Sequence, residues 1–290
     1  MQNRFEQFHP LVVFGYYAGF LTLLILMLHP VFLITALLVI LVVNMLQGFL
    51  RVLNRWIFFM ISTGLFIVFF IPLFNERGRH VLFEIHQHRF TLEAFVYGSI
   101  SAVSIIGVIA LFASYNEVMT PNKLLFLFSK FLPQFAVLLM LTLRFVPLMR
   151  RRLDEISAVQ RSKGISVLHG KWSNRVKTGM LYVQVLLTHS LEEAVQTADS
   201  MKARGYGEKD RSAYEYFLFR KADLWALIYL IIFIIPVLAG RFYGYGFLTV
   251  YPLMESWKFS SADSFVYSSY LLFIIFPLIA ELGGYIRWRL

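Results

Sequence analysis

Along the chain, apolar residues gather into long blocks: about Leu11–Leu28, Val31–Leu50, Trp56–Phe74, Thr91–Ala113, Ala222–Ala239 and Ser264–Leu282. Runs of roughly 18–20 apolar residues match the hydrocarbon thickness that a helix crosses. In lipid the backbone must satisfy its own hydrogen bonds, so such runs predict helices. Only His29-Pro30 separates the first two blocks, which predicts a tight helical hairpin. Proline suits the first helical position, and His9-Pro10 repeats the entry signal. Arg51 and Arg55 mark a polar boundary, and 75–80 reads as a turn-rich loop. The stretch Val81–Phe90 is mixed, and Thr91 is a candidate N-cap for the fourth helix.

The stretch Leu124–Met149 is apolar but interrupted by Pro133, and it carries Lys130 and Arg144. Charge bears on how it is read. From Arg144 to Lys221 there are fifteen Lys/Arg against eight Asp/Glu, more than half of the chain's 27 basic residues. The positive-inside tendency puts this segment in the cytoplasm, along with Arg51, Arg55, Arg287 and Arg289. Four spans from an inside N-terminus return the chain inside near Tyr115, so Leu124–Met149 is expected to be a pair of helices bent near Pro133 and not one crossing. The expected fold is all-α and polytopic: about six membrane crossings, both termini inside, and long amphipathic cytoplasmic helices. It divides into N-terminal membrane helices (1–115), a central polar region (116–221) and C-terminal membrane helices (222–290).

Composition narrows the chemistry. Of 290 residues, 58% are hydrophobic and 15% charged, too little polar surface for a soluble domain of this length. The net charge of +10 is explained by membrane orientation and acidic partners or lipid, not nucleic acid. The absence of cysteine excludes disulfides, thiolate metal sites and cysteine nucleophiles. No cleavable signal peptide is evident, because the first apolar run passes straight into a second. His80, His86 and His88 are potential metal ligands, but with only Glu84 nearby they read as polar residues at the outer surface.

Two stretches of the polar region have helical periodicity. The first carries Phe145, Met149, Leu153 and Ile156; the second carries Leu191, Ala194, Val195, Ala198 and Met201, with Glu192, Glu193, Gln196, Asp199 and Lys202 facing away. Both end alike, at Gln160-Arg161-Ser162-Lys163-Gly164 and Lys202-Ala203-Arg204-Gly205. A glycine just past a helix supplies the left-handed C-cap, and a cation in the last turn complements the helix dipole. Such endings are common, so one alone says little. Two on matched amphipathic helices point toward docking on a partner.

The residues Thr120-Pro121, Leu132-Pro133, Leu143-Arg144-Phe145-Val146-Pro147, Glu155-Ile156 and Gln160–Gly164, with Ser200–Gly207 the stronger match, resemble the T component of energy-coupling factor (ECF) transporters and the related cobalt-transport membrane proteins. The match covers about residues 120–207. The resemblance implies a multi-pass prokaryotic cell-membrane protein that joins two cytoplasmic ABC ATPases, which need not be identical, to a membrane substrate-binding S component for vitamin or metal-ion uptake. It implies coupling helices, each ending in a small residue–Arg–small residue motif that inserts into an ATPase groove. Ala203-Arg204-Gly205 fits that motif. Ser162-Lys163-Gly164 carries Lys in place of Arg, and Lys lacks the bidentate fork, so Arg161 is an alternative carrier shifted by one position. Arg144, Pro147, Gln160, Arg161 and Met201 are implied supports of the coupling helices. Pro133, Pro147, Gly164 and Gly205 are candidate joints.

No cofactor is expected on this chain: it contains no GxxxxGK[ST] loop, so ATP and Mg belong to the partner ATPases and the chain is not an enzyme. One competing reading is a permease of another ABC importer type. Glu193-Ala194-Val195 begins like an E-A-A-x3-G loop, but Asp199 stands where its glycine would be. The other is a membrane-embedded lipid enzyme, for which no clustered catalytic set is visible. Glu192, Glu193 and Asp199 read as a solvated helix face.

Overall fold

The computed structural model describes residues 4–76, 78–85, 88–129, 132–165, 171–207, 217–249 and 261–287. A 3-10 turn (Arg4–Gln7) precedes α1 (Pro10–Leu26), α2 (Pro30–Leu46) and α3 (Leu50–Phe74). A hairpin of β1 (Val81–Ile85) and β2 (His88–Thr91) leads into α4 (Leu92–Val118) and α5 (Pro121–Ser129). Then follow α6 (Pro133–Ser162), α7 (Trp172–Ala203), α8 (Lys221–Phe242), α9 (Ser261–Ile274) and α10 (Phe276–Arg287). Among the described residues, α3, α4, α6 and α8 are long and apolar enough to cross a membrane, and α1 and α2 are shorter apolar helices. The protein is all-α and polytopic, as its apolar blocks predict. Its chain contacts divide it into two compact units, residues 1–124 with 217–290, and residues 125–216.

In the first unit α4 packs against α1, α2 and α3. Small residues allow this: a Cβ on Gly98 would meet the Val68 carbonyl of α3 at 3.4 Å, and one on Gly107 would meet Leu24 of α1 at 3.3 Å. Without water to drive burial, close backbone approach at small residues is the main source of helix cohesion in lipid. Tyr16, Phe20, Phe273 and Phe276 join Phe5 in a buried aromatic cluster linking α1 to α9 and α10. Pro277 has no N–H to donate, and the α9–α10 joint falls just before it. There the Leu278 N–H turns to Ile275 O, and the Tyr16 hydroxyl donates to Ile274 O at 2.9 Å.

Helix entries match the sequence reading in α1 and α2. His9 Nδ1 accepts the Leu11 N–H and His29 Nδ1 the Val31 N–H, each with proline at the first helical position. Thr91 holds the N-cap position of α4, but its hydroxyl makes no capping bond and is buried without a hydrogen-bond partner among the described residues. The neighbouring Glu93 carboxylate binds this end of the helix instead, accepting from the backbone N–H groups of Arg79 and His80 and lying 2.8 Å from His80 Nδ1. The β-hairpin was not legible in the mixed Val81–Phe90 stretch, which lacks an Asn-Gly or Asp-Gly turn pair.

In the second unit α6 starts at Pro133, the expected break. It then runs as one helix through Pro147 to Ser162, where the sequence reading had treated the apolar stretch and the amphipathic stretch as separate pieces. Nothing else between the two prolines interrupts helical propensity, and one missing N–H is not enough to end a helix of 30 residues.

Candidate functional site

The two helix endings in the second unit are built alike. At the end of α6 the Gly164 N–H donates to Arg161 O (2.9 Å) and the Ile165 N–H to Gln160 O (2.9 Å). At the end of α7 the Gly205 N–H donates to Lys202 O (2.9 Å) and the Tyr206 N–H to Met201 O (3.0 Å). Both are complete Schellman motifs, with Gly164 at φ +78° and Gly205 at φ +76°. A left-handed residue is required there, and glycine adopts it without a Cβ clash.

This fixes the register that sequence alone left open. Lys163 and Arg204 occupy the same position, the C-cap, and Arg161 corresponds to Lys202 two residues earlier. Ser162 and Ala203 are the last helical residues, and Gln160 and Met201 supply the matching acceptor carbonyls. The same Schellman bonds also close α2, through Gly48 and Phe49, and α8, through Gly244 and Tyr245; there the C-cap residues are Gln47 and Tyr243. The turn itself is therefore a general device of this fold. Among these four endings, a cation at the C-cap distinguishes the two in the second unit. Both Lys163 and Arg204 are exposed, and neither makes an ion pair among the described residues.

Packing of α6 on α7 places these endings. Ser190 Oγ of α7 lies 3.0 Å from Met149 Sδ of α6, and the Tyr182 hydroxyl donates to Ile165 O at 3.0 Å. The later residue of α7 meets the earlier residue of α6, so the helices cross antiparallel and their C-terminal halves lead away from each other. Each C-cap cation is fourteen residues beyond the Met149/Ser190 contact. At 1.5 Å per residue each C-cap lies about 21 Å along its own helix from that contact.

Tyr182 was not singled out by the sequence. It is 5% exposed, the buried side chain of α7, and it ties this helix to the carbonyl just beyond Gly164. A lone tyrosine in the apolar run before His189 is its only sequence signal. The expected apolar face of α7 divides differently from its periodicity. Met201 is half-buried, whereas Leu191 (68%) and Val195 (61%) are open, with Ala194 and Ala198 exposed beside them. The side turned toward α6 instead carries Val185, Leu186 and Ser190, with Glu193 half-buried farther along. Arg144 and Pro147 lie exposed on α6, and Arg161 is exposed in its last turn.

The histidines of the first unit are partly accounted for. His80 pairs with Glu93, while His86 and the side chain of His88 lie outside the described residues. Arg77, Lys130, Lys209, Arg211 and Arg289 also lie outside them. Among the described residues no group of three or more His, Asp or Glu is placed to hold a metal ion.

Residues 3–215 match the cobalt transport protein family CbiQ. The energy-coupling factor transporter transmembrane protein EcfT of Listeria innocua is 32% identical over 96 residues, 33% of this chain and 36% of that protein. The EcfT protein of Lactobacillus helveticus is 28% identical over 185 residues, 59% of this chain and 65% of that protein. That of Staphylococcus aureus is 23% identical over 185 residues, 60% of this chain and 67% of that protein. The matched stretch thus spans less than two thirds of the first two relatives.

Proposed function

Because this chain belongs to the cobalt transport protein family CbiQ, and because its two cation-capped helix endings occupy equivalent positions, we propose that it is the energy-coupling transmembrane subunit of an ECF-type ABC importer. In this reading Ser162-Lys163-Gly164 and Ala203-Arg204-Gly205 each enter a groove on one of two cytoplasmic ATPases. The single observation that carries it is the pair of Schellman motifs with an exposed cation at the C-cap of each, neither of them in an ion pair among the described residues. The chain itself is non-catalytic, with ATP and Mg bound by the partners.

The geometry suits such a task. A C-cap cation stands at the end of a rigid helix, where no following helical turn shields it. The small residues on either side, Ser162 and Gly164 or Ala203 and Gly205, let the backbone approach a groove wall. A guanidinium or ammonium buried there against a carboxylate would be worth several kcal/mol to the interface, of the order of 2–5 when one partner is truncated. Because the endings diverge from one crossing, they can engage two separate subunits. Closure of the ATPase pair on ATP would draw the two endings together, and α6 and α7, pinned at Met149/Ser190, would turn that motion into a change at their other ends. There the movement would pass to a membrane S component that binds the vitamin or metal ion. Pro133, at the start of α6, and Pro147 within it are the joints where such a helix can bend. The basic segment then faces the cytoplasm, with six crossings and both termini inside.

The test is reconstitution with candidate ABC ATPases and S components from the same organism. Stable co-purification of two ATPase subunits, and uptake of substrate into vesicles only with ATP, is the expected result. A chain that holds no ATPase, yet turns over lipid by itself, would overturn the reading.

A further inference from the structure

The chain leaves the first unit after Leu124, inside α5, and re-enters it at Phe217, just ahead of α8. Each of these two places carries one charged side chain that closes a helix end. Lys123, half-buried in the first turn of α5, donates from Nζ to Val118 O, the last helical carbonyl of α4, at 3.1 Å. A cation there meets the negative end of the helix dipole and a carbonyl without an intrahelical donor. Asp223 is 4% exposed in the first turn of α8, and its Oδ2 accepts the Arg220 N–H at 2.8 Å. Its negative charge suits the positive end of that helix.

Both side chains make a second bond, and both second bonds go to the same short segment. Lys123 Nζ also donates to Glu6 O at 2.9 Å, and Asp223 Oδ1 accepts the His9 N–H at 2.8 Å. The segment Arg4–His9 is therefore held on one side by the exit and on the other by the re-entry, each time through a charge-assisted bond. It is itself anchored in the core. Phe5 is fully buried, edge-on to Tyr16 and Tyr17 of α1 and to Phe276 of α10, and Phe8 lies against Phe276. The His9 ring meets Phe219 edge-on at 5.2 Å, while its Nδ1 caps α1.

We infer that Arg4–His9 is a clamp that holds the two connections to the second unit as one rigid base, with Lys123 and Asp223 as its positioning residues; this rests on the proposed energy-coupling role. Closing a helix end needs only a bond to that helix. The second bond of each side chain, to one segment seated among buried aromatic rings, is what makes the two places a unit. The consequence is mechanical. Motion of α6 and α7 does work on the membrane helices only against a base that does not yield. With either bond missing, that connection bends, and ATP is hydrolysed without uptake.

Lys123→Met keeps the apolar stem of the lysine, and Asp223→Asn keeps the shape of the carboxylate. In the full-length protein alone, in lipid nanodiscs, amide hydrogen exchange reads the clamp directly. Lys123→Met should speed exchange at the His9 and Arg220 amides, on the far side of the segment, and Asp223→Asn should speed it at the Met119 and Leu124 amides. Faster exchange confined to each variant's own side overturns the inference, because the two side chains are then separate caps. In complexes with both ATPases and an S component, each variant should lose uptake while ATP hydrolysis persists; undiminished uptake per ATP also overturns the inference. A wild type that holds no ATPase sinks the coupling role instead, and the exchange result still decides the clamp. Where a variant fails to fold, Glu6→Cys with Lys123→Cys, joined by a short bifunctional thiol reagent in this otherwise cysteine-free chain, replaces the bond with a covalent tie. Uptake equal to or above that of the unlinked pair supports the clamp. Uptake stopped by linking shows that the segment must move, and overturns it.

Discussion

Ser190 Oγ sits 3.0 Å from Met149 Sδ, and each residue is fourteen positions before the cation that caps its own helix. The serine proton is better used by Leu186 O at 2.7 Å, so the contact with sulfur is mainly a packing contact that small size permits. This crossing makes α6 and α7 one lever with two ends. A short bifunctional thiol reagent should link Met149→Cys to Ser190→Cys in the otherwise cysteine-free chain. It should not link Val159→Cys, on the open side of α6, to Ser190→Cys. Equal linking of both pairs would refute the crossing.

The helix endings should respond to backbone chemistry. Gly164 has open space where a Cβ would go, so steric crowding is not what requires glycine there; its φ of +78° is. Gly164→Ala should cost about 1 kcal/mol, Gly164→Asn less, and Gly164→Val the most. Hydrogen exchange of the Ile165 amide, which closes the motif, reads the loss directly.

Tyr182→Phe removes the bond to Ile165 O while keeping the buried ring. It should cost about 1 kcal/mol and loosen the first ending only. Faster exchange around Gly164, with Gly205 unchanged, is the expected pattern. An equal effect at both endings would mean that Tyr182 supports α7 generally.

Acid should weaken the entry of α1. Burial lowers the pKa of His9 from its usual 6.5, with Asp223 opposing the shift. Its Nδ1 must stay unprotonated to accept the Leu11 N–H. With a folded pKa below the unfolded one, the unfolded chain takes up the proton first. The contribution is therefore complete above the unfolded value and is lost as pH falls through the folded one. His9→Asn keeps a capping acceptor without a titrating group. Thermal stability of this variant should vary less than wild type between about pH 5 and 8.

Much of the fold was legible because period and length state it. The apolar blocks, the His-Pro entries and the break at Pro133 each rest on a strong local rule. The β-hairpin was hidden because its turn lacks a signature pair. The joining of α6 through Pro147 was hidden because proline reads as a stop, although a long helix can absorb one. At the site, the glycines and cations were visible as types. Their equivalence was not, since only the hydrogen bonds of Ile165 and Tyr206 establish that Lys163, and not Arg161, matches Arg204. Tyr182 escaped notice because its role depends on a partner seventeen residues earlier.

The two endings should act separately. Lys163→Ala should weaken retention of one ATPase and Arg204→Ala of the other, with the double variant losing both. Lys163→Arg tests whether the first groove is suited to a point charge. Unchanged assembly and uptake in this variant would show that Lys is not specifically required.

The central claim is tested most directly at Arg204. Quantitative co-purification of both ATPases with wild type, Arg204→Lys and Arg204→Ala is the measurement. Arg204 is exposed and in no ion pair among the described residues, so its removal should leave the amount of folded membrane protein unchanged. Loss of a buried charge contact should cost about 2 kcal/mol or more, roughly a thirtyfold drop in affinity for one ATPase. Arg204→Lys should fall between the two. Undiminished binding of both ATPases by folded Arg204→Ala would contradict the account.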